Sequence, residues 1–195
     1  MSESQDIWLS LSQASIKLVN ANVCYALWPR GSGKTNALGD RIDHLSQVMP
    51  CSQILLYADT FKRLEERIVP NILSYFINNL GLEEGIDFVC FKKPPDDWDK
   101  PLIPLKAFEH VISFSSGMAL CLASQQAPGS ANAFNAQAML VDEAKYIKEE
   151  IINTEALPAL RGAFEYFGHL PEYRSHLLAI SSDISFCTAK QCGQL

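Results

Sequence analysis

The sequence predicts an α/β fold built on a mainly parallel β-sheet, and three observations predict it. Apolar runs of strand length alternate with stretches of helical spacing along the chain. The first strand-to-helix junction is a glycine-containing loop, Arg30-Gly31-Ser32-Gly33-Lys34-Thr35. Apolar runs at 111–114 and 118–123 are joined by Ser115-Ser116-Gly117, a hairpin signal that adds antiparallel strands to the sheet. The 195 residues suit a single domain. With 48% hydrophobic and 19% charged residues the chain can bury a full core, which excludes wholesale disorder.

The elements follow in order. Residues 5–19 carry Ile7, Leu9, Leu11, Ile16 and Leu18 among polar residues, which predicts a short helix. Residues 22–27 form a compact apolar run, a strand that runs into the loop at 28–35. Ala37, Leu38, Ile42, Leu45 and Val48 then give residues 36–48 helical spacing. Residues 54–58 read as a buried strand. Thr60 is a suitable N-cap for a helix running towards Leu80, with a break or kink at Pro70. Residues 88–91 suggest another strand, and 92–104 a proline-rich loop. After the hairpin, 124–136 read as loop and 138–141 as a strand that stops at Asp142-Glu143. Residues 147–164 have helical spacing interrupted by Pro158, and 176–180 form a last strand ending in Ser181-Ser182-Asp183.

Composition excludes several classes. No apolar stretch approaches membrane-spanning length. The start, Met-Ser-Glu-Ser-Gln-Asp, lacks the features of a signal peptide. Six scattered cysteines, none in a C-x2-C pair, suggest neither a zinc site nor a disulfide framework. A reducing cytoplasm is the expected compartment. A net charge of −6 argues against a protein that coats nucleic acid, though not against one that touches DNA through a few loops.

The loop at 30–35 carries the first chemistry. Glycines let backbone N–H groups turn inward around phosphates, and the positive end of the following helix faces them. Lys34 would reach the β- and γ-phosphates, and the Thr35 hydroxyl would ligate Mg²⁺. Arg30, Gly31, Ser32 and Gly33 complete the set of nucleotide-binding candidates, with Arg30 able to act on the γ-phosphate. The full phosphate-loop pattern opens with a glycine, and this chain has Trp28 there, followed by Pro29. A plain turn with a helix start is the ordinary alternative. The second motif is Asp142-Glu143 at the end of an apolar strand: Asp142 would hold Mg²⁺ and Glu143 would activate the attacking water. A helix start favoured by acidic residues is the alternative there. Together the motifs predict ATP hydrolysis. Ser181 and Ser182 sit where a parallel sheet presents residues to ligands, although taken by themselves a plain turn is the favoured reading. Trp8 and Gln13 are candidate adenine neighbours, and Arg161 and Arg174 candidate fingers for a neighbouring subunit; packing or plain exposure is the default for all four.

This set resembles the ATPase domain of the large terminase subunit of tailed bacteriophages, in Arg-Gly-Ser-Gly-Lys-Thr, in Val141-Asp142-Glu143-Ala144, in Ser181-Ser182-Asp183 and in the loop 129–135. The resemblance spans residues 5–185. It implies a P-loop three-layer sandwich of the class with an additional strand and a catalytic glutamate. It also implies Mg²⁺ and ATP as cofactors, Glu143 and Arg30 as catalytic, and Ser181 and Ser182 as coupling residues. Double-stranded DNA, a portal, a small terminase subunit and a homo-oligomeric ring are the implied partners, in the cytoplasm of an infected or prophage-bearing host. The expectation is one ATPase domain over residues 1–195, cut short before the family's nuclease domain. Another P-loop motor, helicase-like or partition-type, and a non-hydrolysing remnant acting as an interaction module are the alternatives.

Overall fold

The structure is a computed structural model and describes residues 10–19 and 21–182. The predicted helix at 5–19 therefore survives in part as α1, Leu11–Val19; Trp8, Asp183, Cys187 and Cys192 lie outside the described residues. Seven strands form one sheet in the order β1-β7-β6-β2-β5-β4-β3. These are β1 Val23–Pro29, β2 Gln53–Ala58, β3 Phe88–Cys90, β4 Val111–Phe114, β5 Ala119–Ser124, β6 Ala138–Val141 and β7 Ser175–Ser182. Every pairing from β1 to β5 is parallel, and the two pairings that add β4 and β3 are antiparallel. The hairpin thus extends a parallel sheet, as the sequence predicts.

Pleating explains the layers. Successive residues of a strand point to opposite faces, and the central strands are apolar on both, as parallel strands covered on both sides must be. Ile54, Leu56, Leu120, Leu122, Leu140, Leu177 and Ala179 face α2 (Lys34–Val48) and α4 (Val69–Leu80). Leu55, Tyr57, Ala123, Met139, Val141 and Leu178 face the short turns drawn from 131–160. The sandwich has three layers.

Two boundaries differ from expectation at the site. β1 runs on through Trp28 and Pro29, and α2 begins at Lys34, so the loop between them is only residues 30–33. β7 continues through Ser181 and Ser182 in register with Trp28 and Pro29. The two serines are strand residues held by a neighbouring strand, and the turn reading is corrected.

The prolines act where expected, by an unexpected device. The helical run after Thr60 starts as α3 (Phe61–Arg63), widens to π pitch over Leu64–Ile68 and resumes as α4 with Pro70 in its first turn. Proline has no N–H to give and crowds the carbonyl four residues back; a π segment relaxes that register. The same solution recurs before Pro158. A short α5 (Glu149–Ile151) passes into a π turn at Ile152–Ala156 and a 3₁₀ turn at Leu157–Ala159. The predicted helix of 147–164 is thereby broken into short turns. Gly162 and Ala163, both with left-handed backbones, separate them from α6 (Phe164–Phe167).

Candidate nucleotide-binding site

The carboxyl ends of β1, β6 and β7 converge on the N-terminus of α2, the place where open parallel sheets bind ligands. Gly31 and Gly33 take the left-handed conformation, φ 76° and 80°. These two positions carry the bend, so Trp28 can replace the usual first glycine: it stays in the strand and packs against the core. The Gly33 carbonyl accepts from Ala37 N–H at 3.0 Å, opening α2, and from Gln13 Nε2 at 3.1 Å. Gln13 therefore braces the loop from α1, a role the sequence did not disclose.

Lys34 is buried, and its ammonium donates to the carbonyls of Trp28 (3.1 Å) and Pro29 (2.8 Å). The Ser32 hydroxyl also donates to the Pro29 carbonyl, at 2.7 Å, and Ser32 does not line the cleft. Its side chain serves the loop. Arg30 is exposed at the cleft, and Thr35 lines it.

Across the cleft, Asp142 is buried at the end of β6, its carboxyl pushed up to about 6 by burial and then by Glu143, against the opposing charges of Arg63 and Lys34. A buried carboxylate short of positive charge suits a divalent cation, so the donor set fits Mg²⁺ held by Thr35, Asp142, phosphate oxygens and water. Glu143 has a left-handed backbone, φ 50°. Both of its carboxylate oxygens are held by Ser181: one accepts from the backbone N–H at 3.2 Å, the other from the hydroxyl. Ser182 closes β7 opposite Pro29.

These residues share one cleft of about 470 Å³, lined by Arg30, Gly31, Gly33, Lys34, Thr35, Asp142, Glu143 and Ser181. Its far wall is a face of α4, with Asn71, Ser74, Tyr75 and Asn79. Sequence reading missed this wall. The only signal was polar residues at helical spacing within an otherwise apolar helix. The candidate fingers lie elsewhere. Arg161 donates to Asn135 Oδ1 (3.0 Å) and to the Asn132 carbonyl (3.2 Å), tying down the 129–135 loop, and Arg174 lies over the Tyr173 ring.

No protein-family model matches the chain, and no curated protein sequence does. Solved structures match by shape. The large terminase ATPase domain of Thermus phage P74-26 aligns with a TM-score of 0.60 at 14% identity, over 91% of this chain and 67% of that one. A mutant of the same domain gives 0.57 at 15%, over 92% and 68%. The fold is that of a large-terminase ATPase domain. The large terminase of the thermophilic bacteriophage D6E gives 0.60 at 10% identity, over 89% of this chain and 39% of that longer one.

Proposed function

We propose that this chain is the ATP-hydrolysing motor domain of a terminase-type DNA-packaging machine. One observation carries the reading: folding brings Lys34 and Thr35 into one cleft with Asp142 and Glu143, which lie about a hundred residues further along the chain. A nucleotide-dependent motor needs that combination of phosphate cradle, metal carboxylate and base. The likeness to terminase ATPase domains supports it at the level of fold.

In this reading the loop backbone and Lys34 bind the triphosphate, and Lys34 exchanges its bonds to Trp28 and Pro29 for phosphate oxygens. Bound Mg²⁺ would supply charge neutralisation, with Thr35 and Asp142 holding it. Arg30 adds positive charge at the γ-phosphate. Glu143 takes a proton from the attacking water. It does so only after releasing an oxygen from Ser181, which couples the state of β7 to the chemistry. Ser182, next along β7, extends that coupling strand. DNA, a portal, a small terminase subunit and neighbouring copies in a ring are the partners this reading requires, in the host cytoplasm.

The test is ATP turnover and nucleotide affinity in two variants. Lys34→Ala is expected to weaken Mg·ATP binding by roughly 10- to 100-fold, the worth of a charge-assisted contact of about 1.5–3 kcal/mol. Glu143→Gln keeps shape and binding and is expected to lose about 10²- to 10⁴-fold in hydrolysis. Parent-like turnover in Glu143→Gln would reduce Glu143 to a turn residue.

A further inference from the structure

The left-handed backbone of Glu143 is strained for a residue with a side chain, and such a conformation persists only where its surroundings impose it. On one side Ser181 holds the carboxylate. On the other side the restraint comes through Tyr146, whose N–H donates to the Glu143 carbonyl at 3.0 Å and closes the 3₁₀ turn Ala144–Tyr146. The half-exposed Tyr146 ring lies under the Arg63 guanidinium, 4.6 Å from its centroid. Arg63 is itself fixed. Its Nη1 pairs with Asp59 Oδ2 at 3.0 Å, and its backbone N–H donates to Thr60 Oγ1 at 3.1 Å. Asp59 directly follows β2, and β2 is the hydrogen-bonded neighbour of β6, which Asp142 and Glu143 follow. The end of one central strand thus reaches, through Asp59, Arg63 and Tyr146, to the turn at the end of the next. Arg63 has no place in the cleft lining. Its positive charge nevertheless acts on Asp142 and Glu143, as that of Lys34 acts on Asp142.

We propose that Arg63, clamped by Asp59 and seated on the Tyr146 ring, is a positioning residue that holds the Glu143 turn so that its carboxylate faces the cleft. This rests on the hydrolytic reading of the site. Arg63 touches no substrate; it acts through the turn. Replacing it leaves the Tyr146 ring with the cation of Lys145, whose Nζ lies 5.2 Å from the centroid but which belongs to the same turn, and lets Glu143 relax towards ordinary backbone angles, which moves the base while the phosphate loop stays intact. Asp59 is met by a single nitrogen, which an ammonium can supply, but the flat face on tyrosine needs a guanidinium, so lysine substitutes only in part.

The experiment measures kcat, KM and the affinity for a fluorescent ATP analogue with Mg²⁺, on the full chain at a temperature where thermal melts show every variant folded. Arg63→Met is expected to lower kcat 10- to 100-fold with analogue affinity within twofold of the parent, and Arg63→Lys to fall between. Tyr146→Leu reaches the same turn by another residue, is expected to show the same split, and serves if Arg63→Met does not fold. Placed on Glu143→Gln, Arg63→Met is expected to change the residual single-turnover rate less than twofold. A full additive loss there, an affinity loss matching the kcat loss, or parent-like kcat in both Arg63→Met and Tyr146→Leu overturns the proposal. A parent chain that binds the analogue yet turns over no ATP overturns the hydrolytic reading itself, and this inference with it. That outcome shows in the parent alone.

Discussion

Asp142 places a carboxyl where water barely reaches and where Glu143 adds a like charge, which is why its pKa rises to about 6. In the unfolded chain an aspartate releases its proton near 3.9. Between those values the folded, metal-free chain holds more protons than the unfolded one, so its stability falls as pH rises from about 4 to about 6, and the loss is complete above that. Asp142→Asn removes the penalty. The variant is expected to be more stable than the parent at pH 7–8, by on the order of 2–3 kcal/mol, and to decline less between pH 4 and 6, where Asp43, also pushed up by burial, still contributes. Denaturant titrations of the metal-free proteins across pH 4–8 check this, and equal stabilities at pH 7.5 would contradict it. A carboxylate kept at such cost points to a use for it. The residues of this kind that were legible in the sequence are those whose chemistry is local: Lys34 and Thr35 sit next to their glycines, and Asp142 and Glu143 end an apolar run. The bracing role of Gln13 and the place of Arg63 come only from which elements lie side by side, and no spacing announces them, while Asn71 left no more than a polar position at helical spacing in an apolar helix.

At the scale of elements, the α2–α4 contact decides how the cleft is walled. Gly39 lies in the middle of α2, and a Cβ there would come within 2.7 Å of Tyr75 Cδ1 on α4. The Tyr75 hydroxyl is buried without a hydrogen-bond partner and is pushed up to about 12 by burial and then by Asp40 and Asp43. The ring is therefore held by packing alone. Helix propensity favours Gly39→Ala by about 1 kcal/mol. Overpacking opposes it by about 1–3 kcal/mol, and because Tyr75 is wedged between helices the clash wins. Gly39→Ala is expected to lower stability by up to about 2 kcal/mol net, with Tyr75→Leu giving back part of the loss in a double-mutant cycle. A stabilised Gly39→Ala would show that α4 shifts freely. The parallel strands were legible because both their faces are apolar, and the breaks at Pro70 and Pro158 because proline forbids a regular helix. The π turns were not legible, since they answer a proline downstream with residues that carry no mark of their own.

For the whole molecule, the sheet is well covered in its centre, and among the described residues it is bare at the β1 margin. Among the described residues β1 pairs with β7 alone. Its Cys24 and Trp28 pack inward, while Val23, Tyr25 and Leu27 stand 44%, 64% and 60% exposed on the opposite face. An unpaired edge next to an uncovered apolar face favours association between chains. Charge points the other way for DNA: a net charge of −6 repels the phosphate backbone overall, so DNA affinity is expected to rest on a few basic contacts and to fall steeply with salt. Among the described residues no group of three His, Cys, Asp or Glu is placed to hold a metal ion. The 195-residue chain is therefore expected to bind Mg·ATP and hydrolyse it slowly. It is expected to self-associate as concentration rises, to bind plasmid DNA weakly at physiological salt, and to cut none. Incubating purified chain with supercoiled plasmid and Mg²⁺ or Mn²⁺, alongside light scattering over a concentration series, checks each part. Nicking that depends on metal and survives Lys34→Ala would place a second active centre in this chain, apart from the cleft where Lys34 meets Asp142.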